Sequence, residues 1–134
     1  MINRMKITRQ QTTVLSLVSI MALLHLLIAN RAGLTVDGAH YALYGKHLAL
    51  SYYDHPPLVG YLQALILPWG HSNLMMRLWP IFLSWCWPLL LYRLSQQLFP
   101  QASPWQSVVC VALALSAVLI NLMSLALIPQ VPLL

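Results

Sequence analysis

Three long apolar segments with few charged residues limit what this chain can fold into. Of its 134 residues, 60% are hydrophobic and 7% are charged, a composition typical of integral membrane proteins rather than of a soluble domain. A helix needs about 20 mostly apolar residues to cross a bilayer, and residues 12–30, 74–98 and 105–128 approach or exceed that length. The sequence therefore predicts an all-α integral membrane protein with three transmembrane helices.

Basic residues at the start of the chain indicate its orientation. Arg4, Lys6 and Arg9 precede the first apolar segment, and such clusters favour the cytoplasmic side of a membrane. We expect residues 1–11 to be cytoplasmic and the protein to lie in a bacterial inner membrane. The first segment is longer than a signal-peptide core and no convincing cleavage site follows it, so we interpret it as an uncleaved helix.

The rest of the topology follows from alternation across the membrane. Residues 31–73 are expected to form an outer, periplasmic loop, residues 99–104 a cytoplasmic turn, and residues 129–134 an outer end. The net charge of +5 is spread over the ends of the segments without a basic stripe. We therefore expect membrane lipids as partners and no nucleic acid.

The outer loop carries helix signals of its own. Tyr41, Tyr44 and Leu48 recur at spacings of three and four, which is the pattern of an amphipathic helix at a membrane surface. We expect one such helix at about 38–50. A Pro-Pro pair is tolerated in the first turn of a helix, so a second short helix is predicted at about 56–67.

Polar residues that could act in catalysis or binding are concentrated in this loop. Both carboxylates of the chain, Asp37 and Asp54, lie there, each just before a predicted surface helix. A carboxylate in that position caps free backbone N–H groups, but the same geometry can hold it rigid for catalysis. Four histidines accompany them: His40, His47, His55 and His71. Their spacing does not match a compact zinc signature.

A long string in this loop resembles a known enzyme family. Residues 36–65 read VDGAHYALYGKHLALSYYDHPPLVGYLQAL. This is similar to the first outer loop of polyprenyl-phosphate-sugar-dependent glycosyltransferases, the protein mannosyltransferase-like and aminoarabinose transferase-like enzymes of the C-type superfamily. Their loop typically reads Asp-Glu-Ala-x-Tyr and, further on, Tyr-Tyr-Asp-His-Pro-Pro. The resemblance continues through Met76-Arg77-Leu78 and through residues 127–133.

The resemblance implies roles for both carboxylates. Asp37 matches the catalytic base that deprotonates the acceptor hydroxyl, which a carboxylate can do from within hydrogen-bond reach. Asp54 matches an acid that helps to hold a divalent metal ion near the donor phosphate. Such a metal would neutralise charge on the leaving polyprenyl phosphate.

The resemblance also implies a binding site for the polyprenyl-phosphate-sugar donor. His55 matches a position near the donor phosphate, and Tyr52 and Tyr53 would shape the lipid-facing cavity. Arg77 matches an arginine at the start of the next helix. Two interpretations of Arg77 stay open, because it can either pair with the phosphate or anchor its own helix.

The chain departs from the family pattern in ways that affect its expected activity. Gly38 replaces the Glu that follows the catalytic Asp, and Gln130 replaces a later Asp. Family members also continue into many more helices, so we expect a fragment of a larger polytopic fold, a truncated enzyme that is inactive alone. The alternatives are a small non-catalytic membrane subunit and an oligomeric half-transporter. His25, deep in the first helix, is expected to hydrogen-bond a neighbouring helix.

Overall fold

The computed structural model describes residues 7–53 and 55–125, with the backbone alone for Asp37 and Ser124. This part of the chain is all-helical and contains no strand, which confirms the predicted all-α class. In chain order the helices are α1 Arg9–Arg31, α2 Val36–Tyr44, α3 Leu58–Ile66 followed by a 3₁₀ turn Leu67–Trp69, α4 Asn73–Met76, α5 Leu78–Leu98, α6 Pro104–Ser116 and α7 Val118–Leu125.

Helix α1 contains the first predicted apolar segment and starts three residues before it. Its start is determined by a capping box, in which the Thr8 hydroxyl accepts the Gln11 N–H at 3.3 Å and the Gln11 side chain accepts the Thr8 N–H at 3.0 Å. Among the helices described here, α1 is the one that is both long and apolar enough to cross a membrane. The structure thus shows one helix of that kind where the sequence predicted three.

The second predicted segment, 74–98, is divided into α4 and α5. The two helices meet at Arg77, whose backbone (φ −99°, ψ 2°) leaves the helical region. Helix α5 then continues through Pro88 to Leu98. The single long helix expected from the sequence therefore begins four residues late. Pro80 has no N–H to donate to the Met76 carbonyl one turn earlier, and that carbonyl accepts from the Gln63 side chain instead.

The third predicted segment, 105–128, is interrupted at Ala117, which is extended (φ −68°, ψ 112°). Residues 126–128 lie outside the described part. The side-chain amide of Asn121 donates to the backbone oxygens of Leu115 at 2.7 Å and Ala117 at 3.0 Å. The Leu115 carbonyl lies in the last turn of α6, where carbonyls lack helical partners, whereas the Ala117 carbonyl also accepts the Asn121 backbone N–H at 3.2 Å. Asn121, which the sequence showed as a polar interruption, thus stabilises the junction between α6 and α7.

The two short helices of the predicted outer loop exist with different bounds. Thr35 is the N-cap of α2 and accepts the Gly38 N–H at 3.0 Å, so α2 begins before the predicted 38–50 and ends at Tyr44. Pro57 is the N-cap of α3, which lies within the predicted 56–67. The amphipathic spacing extended the first helix too far, because the chain turns at Gly45.

Buried apolar side chains form two clusters, one in the helical bundle and one beside α2. The bundle cluster lies between α1, α5 and α6 and contains Val14, Val18, Tyr92, Val108, Val111 and Leu115. The second cluster contains Tyr41, Tyr44, Val59 and Met76. The α2–α3 segment, defined here as residues 35–66, therefore has its own apolar centre rather than lying loosely on the bundle.

A buried polar network links three helices of the bundle. His25 Nε2 lies 3.1 Å from Asn121 Oδ1, and His25 Nδ1 lies 3.3 Å from Ser84 Oγ. The Asn121 amide nitrogen already donates to two carbonyls, so its oxygen accepts from His25 Nε2–H. The predicted hydrogen bond from His25 to a neighbouring helix is confirmed, and it connects α1 with both α5 and α7.

Candidate functional site in the α2–α3 segment

Aromatic and imidazole side chains converge around the Tyr-Tyr-Asp-His-Pro-Pro string. The rings of Tyr44 and Tyr52 stack with their centroids 3.7 Å apart and their planes 2° from parallel. The Tyr52 hydroxyl donates to the backbone oxygens of Tyr44 at 2.9 Å and His47 at 3.0 Å. Tyr52 therefore closes the loop onto the carboxyl end of α2, where carbonyls lack helical partners.

Two histidines flank the buried tyrosines of α2. The Tyr41 hydroxyl is hydrogen-bonded to His55 Nε2, and the two rings have centroids 5.0 Å apart. The Tyr44 hydroxyl lies 3.0 Å from His40 Nε2. We call His40, Tyr41, Tyr44, Tyr52 and His55 the tyrosine–histidine cluster. It brings buried phenols and more exposed imidazoles together, and both kinds of group can donate hydrogen bonds to an anion.

Two glycines allow α2 and α3 to approach closely enough to build this cluster. A Cβ at Gly60 would lie 2.6 Å from the Tyr52 hydroxyl and 3.1 Å from Tyr44 Cβ. A Cβ at Gly45 would lie 2.8 Å from Gln63 Cβ. Both positions therefore require glycine for space, which the one-dimensional pattern did not reveal.

The tyrosine–histidine cluster contains members that the sequence interpretation did not assign to a site. Tyr41 and Tyr44 were read only as the apolar stripe of a surface helix, and His40 only as one of several histidines. Two features of the sequence could have indicated the cluster. Tyr41 and Tyr44 lie about one helical turn apart, and a second pair, Tyr52 and Tyr53, lies in the motif. The sequence could not show which rings meet.

Arg77 is buried and bonded to the end of α1. Its Nη1 donates to the backbone oxygens of Ala29 at 3.3 Å and Ala32 at 2.7 Å, and its Nη2 donates to that of Gly33 at 2.6 Å. These carbonyls lie at or just beyond the carboxyl end of a helix, where positive charge is favourable. Of the two predicted roles, this geometry favours anchoring over contact with a donor phosphate.

The remaining predicted site residues, Tyr53, Asp37 and Asp54, are not shown to belong to the tyrosine–histidine cluster. Tyr53 is fully exposed, so it lines no enclosed cavity among the described residues. Asp37 is the second residue of α2, behind the N-cap Thr35, rather than just before the helix as predicted. Asp54, the predicted metal ligand, lies outside the described residues, as does Gln130.

The metal expected from the resemblance finds no ready group of ligands in the described part of the chain. No three His, Cys, Asp or Glu side chains come together there. His55 Nε2 is bonded to Tyr41, and His40 Nε2 to Tyr44. The divalent metal ion stays a prediction.

Comparisons of the chain with protein-family models, with curated proteins and with solved structures found no match. The family resemblance therefore remains a prediction based on the motif in residues 36–65.

Proposed function

We propose that this chain belongs to a membrane glycosyltransferase of the type that moves a sugar from a polyprenyl phosphate to a lipid or protein acceptor. The observation that carries the proposal is the tyrosine–histidine cluster. Tyr52 and His55 of the Tyr-Tyr-Asp-His-Pro-Pro string pack against α2, and His55 and Tyr41 are hydrogen-bonded to each other. A motif kept only as a linker would not require such a specific arrangement of polar groups.

The exposed surface of the bundle supports the membrane part of the proposal. Helix α1 exposes a large set of apolar side chains: Leu15, Ile20, Leu23, Leu24, Leu27 and Ile28. Helices α5 and α6 expose Leu90, Leu94, Val109 and Leu113. Contiguous apolar surface of this kind is covered by lipid or by other helices in membrane proteins. We propose that α1, α5 and the α6–α7 pair all cross the inner membrane, with the N-terminus cytoplasmic.

The proposed chemistry assigns one role to each polar group. Asp37 takes the proton of the acceptor hydroxyl while that oxygen forms a bond to the anomeric carbon of the sugar. The bond between that carbon and the phosphate oxygen breaks, and the polyprenyl phosphate leaves. His55 donates a hydrogen bond from Nδ1–H to a phosphate oxygen while its Nε2 accepts from the Tyr41 hydroxyl, so Tyr41 orients the imidazole and His55 stabilises the charge on the leaving group. Turnover is expected only where further helices enclose donor and acceptor.

Binding of a polyprenyl phosphate to the purified chain tests this proposal. We expect His55→Gln to weaken binding by roughly tenfold, because a hydrogen bond to a charged group is worth about 1.5–3 kcal/mol. His71→Gln is the matched control, because His71 is exposed and lies outside the cluster. Equal affinities for both variants and the unaltered chain would refute the assignment of the cluster.

Sugar transfer requires a second test in membranes in which the chain is assembled with any partner helices. Asp37→Asn should abolish transfer without weakening binding of the polyprenyl phosphate, because the amide cannot accept the proton. Unchanged transfer by this variant would remove Asp37 from the mechanism.

A second candidate, a non-catalytic membrane subunit, is favoured by one observation. Arg77 and Tyr52, two of the predicted binding residues, direct their polar groups at backbone carbonyls. Under this alternative, Asp37→Asn and His55→Gln leave function intact, whereas changes along the exposed face of α5 disrupt a complex.

A further inference from the structure

A groove lies between the amino end of α1 and the carboxyl half of α5, far from the tyrosine–histidine cluster. It has a volume of about 550 Å³, within the range of small-molecule sites. Its walls are mainly apolar and include Val14, Leu15, Leu89 and Leu90. We call it the α1–α5 groove. An occupant of this groove must present an apolar chain to most of the surface.

One cation lines the α1–α5 groove. Arg93 is exposed on α5 and lies at the groove together with Thr8 and Gln11. The capping box ties the Thr8 and Gln11 side chains into the start of α1, so the polar end of the groove has a defined shape. As far as the described residues show, the groove therefore combines an apolar wall with one positive charge, that of Arg93.

The chain has few acidic side chains that could neutralise Arg93. The only acidic residues are Asp37 and Asp54. Asp37 lies in α2, beyond the opposite end of α1, and the 23 residues of α1 extend over about 34 Å at 1.5 Å per residue. Arg93 itself is exposed, so its guanidinium can pair with an anion from outside the chain.

We propose that the α1–α5 groove binds an anionic phospholipid, with an acyl chain along the apolar wall and the headgroup phosphate at Arg93. The charge complements Arg93, and the apolar wall selects a ligand with a hydrocarbon chain over a free anion. The proposal rests on the membrane insertion proposed above but not on glycosyl transfer. It also agrees with the topology, since the groove end of α1 follows the basic N-terminal cluster and cytoplasmic leaflets are rich in anionic lipid.

Lipid retention by the purified chain tests the proposal. The chain is exchanged into detergent holding equal amounts of a zwitterionic and an anionic phospholipid with identical acyl chains, and bound lipid is counted by native mass spectrometry. We expect preferential retention of the anionic lipid, and a loss of roughly tenfold in that preference for Arg93→Gln. Lys46→Gln is the matched control. It removes the same charge as Arg93→Gln, but from an exposed residue on the other side of the molecule.

Further arms separate the proposal from simpler explanations. Leu90→Trp, which fills the apolar wall, should reduce retention of both lipids, and inorganic phosphate should not displace the anionic lipid. Equal loss of preference in Lys46→Gln and Arg93→Gln would overturn the proposal in favour of net charge alone, and displacement by phosphate would overturn the lipid assignment. Because none of these measurements involves His55 or Asp37, failure here leaves the proposed glycosyl transfer separately testable.

Discussion

At the scale of single residues, Arg77 shows how a charge can serve as a structural element. It is 6% exposed, and its guanidinium satisfies three backbone carbonyls around the end of α1. A buried cation is tolerated when hydrogen bonds replace its lost hydration. An arginine at this position of the motif could be interpreted as a phosphate ligand from the sequence, but the N–H groups of Arg77 face the backbone of α1.

Replacement of Arg77 should therefore destabilise the fold. We expect Arg77→Met to lower the free energy of unfolding by about 2–3 kcal/mol, because it leaves carbonyls of Ala32 and Gly33 without their charged donor. Thermal unfolding in detergent measures the effect, and Lys46→Met, at an exposed cation, should change the midpoint little. If both variants have the same unfolding midpoint as the unaltered chain, Arg77 does not anchor α1.

At the scale of helices, the α6–α7 junction and the α2–α3 junction each depend on particular residues. At the α6–α7 break, Asn121 donates to two carbonyls and accepts from His25. Between α2 and α3, glycines permit the close approach that places Tyr52 on Tyr44. Each junction thus has a residue whose substitution should affect one element and not the whole chain.

Loss of the Asn121 side chain should uncouple α7 from α1. We expect Asn121→Leu to destabilise the chain by about 1–3 kcal/mol, since His25 Nε2 and the Leu115 carbonyl lose this partner in a partly buried site. His25→Leu combined with Asn121→Leu should cost less than the sum of the two single changes, because the buried imidazole is then also removed. Strictly additive unfolding energies would contradict the hydrogen bond between them.

An added methyl group should disturb the α2–α3 contact. We expect Gly60→Ala to destabilise this segment by about 1–3 kcal/mol and to weaken the near-ultraviolet circular dichroism of the stacked tyrosines, because its Cβ meets the Tyr52 hydroxyl. Gly33→Ala is the control, since a Cβ there has no neighbour within 4 Å. Tyr52→Phe added to Gly60→Ala should partly restore stability, and no restoration would place the clash elsewhere.

At the scale of the whole molecule, the described helices form a bundle that leaves much apolar surface uncovered. The bundle core is held by α1, α5 and α6, whereas the outward faces of these helices remain apolar. The α2–α3 segment is joined to the bundle by Gln63, which donates to the Met76 backbone oxygen at 2.7 Å, and by the Trp79 side chain, which donates to the Leu62 backbone oxygen. Uncovered apolar surface on the bundle suits the membrane insertion proposed above.

Thiol labelling of cells tests the proposed orientation. In a background with Cys86→Ala and Cys110→Ala, we expect Lys46→Cys to react with a membrane-impermeant reagent added outside. Gln101→Cys, in the turn between α5 and α6, should react only after permeabilisation. Both introduced positions are exposed, so the side of the membrane and not burial decides whether they react. The opposite labelling pattern would show that the orientation is the reverse of the one proposed.

Local features of the sequence predicted a large part of this structure. The apolar segments located α1, most of α5 and most of α6, because hydropathy is a property of each segment alone. The turn signals located α2 and α3 but misjudged their ends, since Thr35 rather than Asp37 caps α2 and the chain turns at Gly45. The resemblance to a glycosyltransferase loop selected Tyr52 and His55, which do lie together in one cluster.

The sequence by itself determined the all-helical class and the membrane-like composition, because both depend on residue type and spacing. Only the tertiary structure decided which polar groups meet: Arg77 with the end of α1, His25 with Asn121, and His55 with Tyr41. Those pairings join residues distant in the chain, and their geometry depends on how closely the helices approach. A guanidinium or an imidazole reads the same in a sequence whether it faces a ligand or a backbone carbonyl, so its partner is known only when the helices are packed.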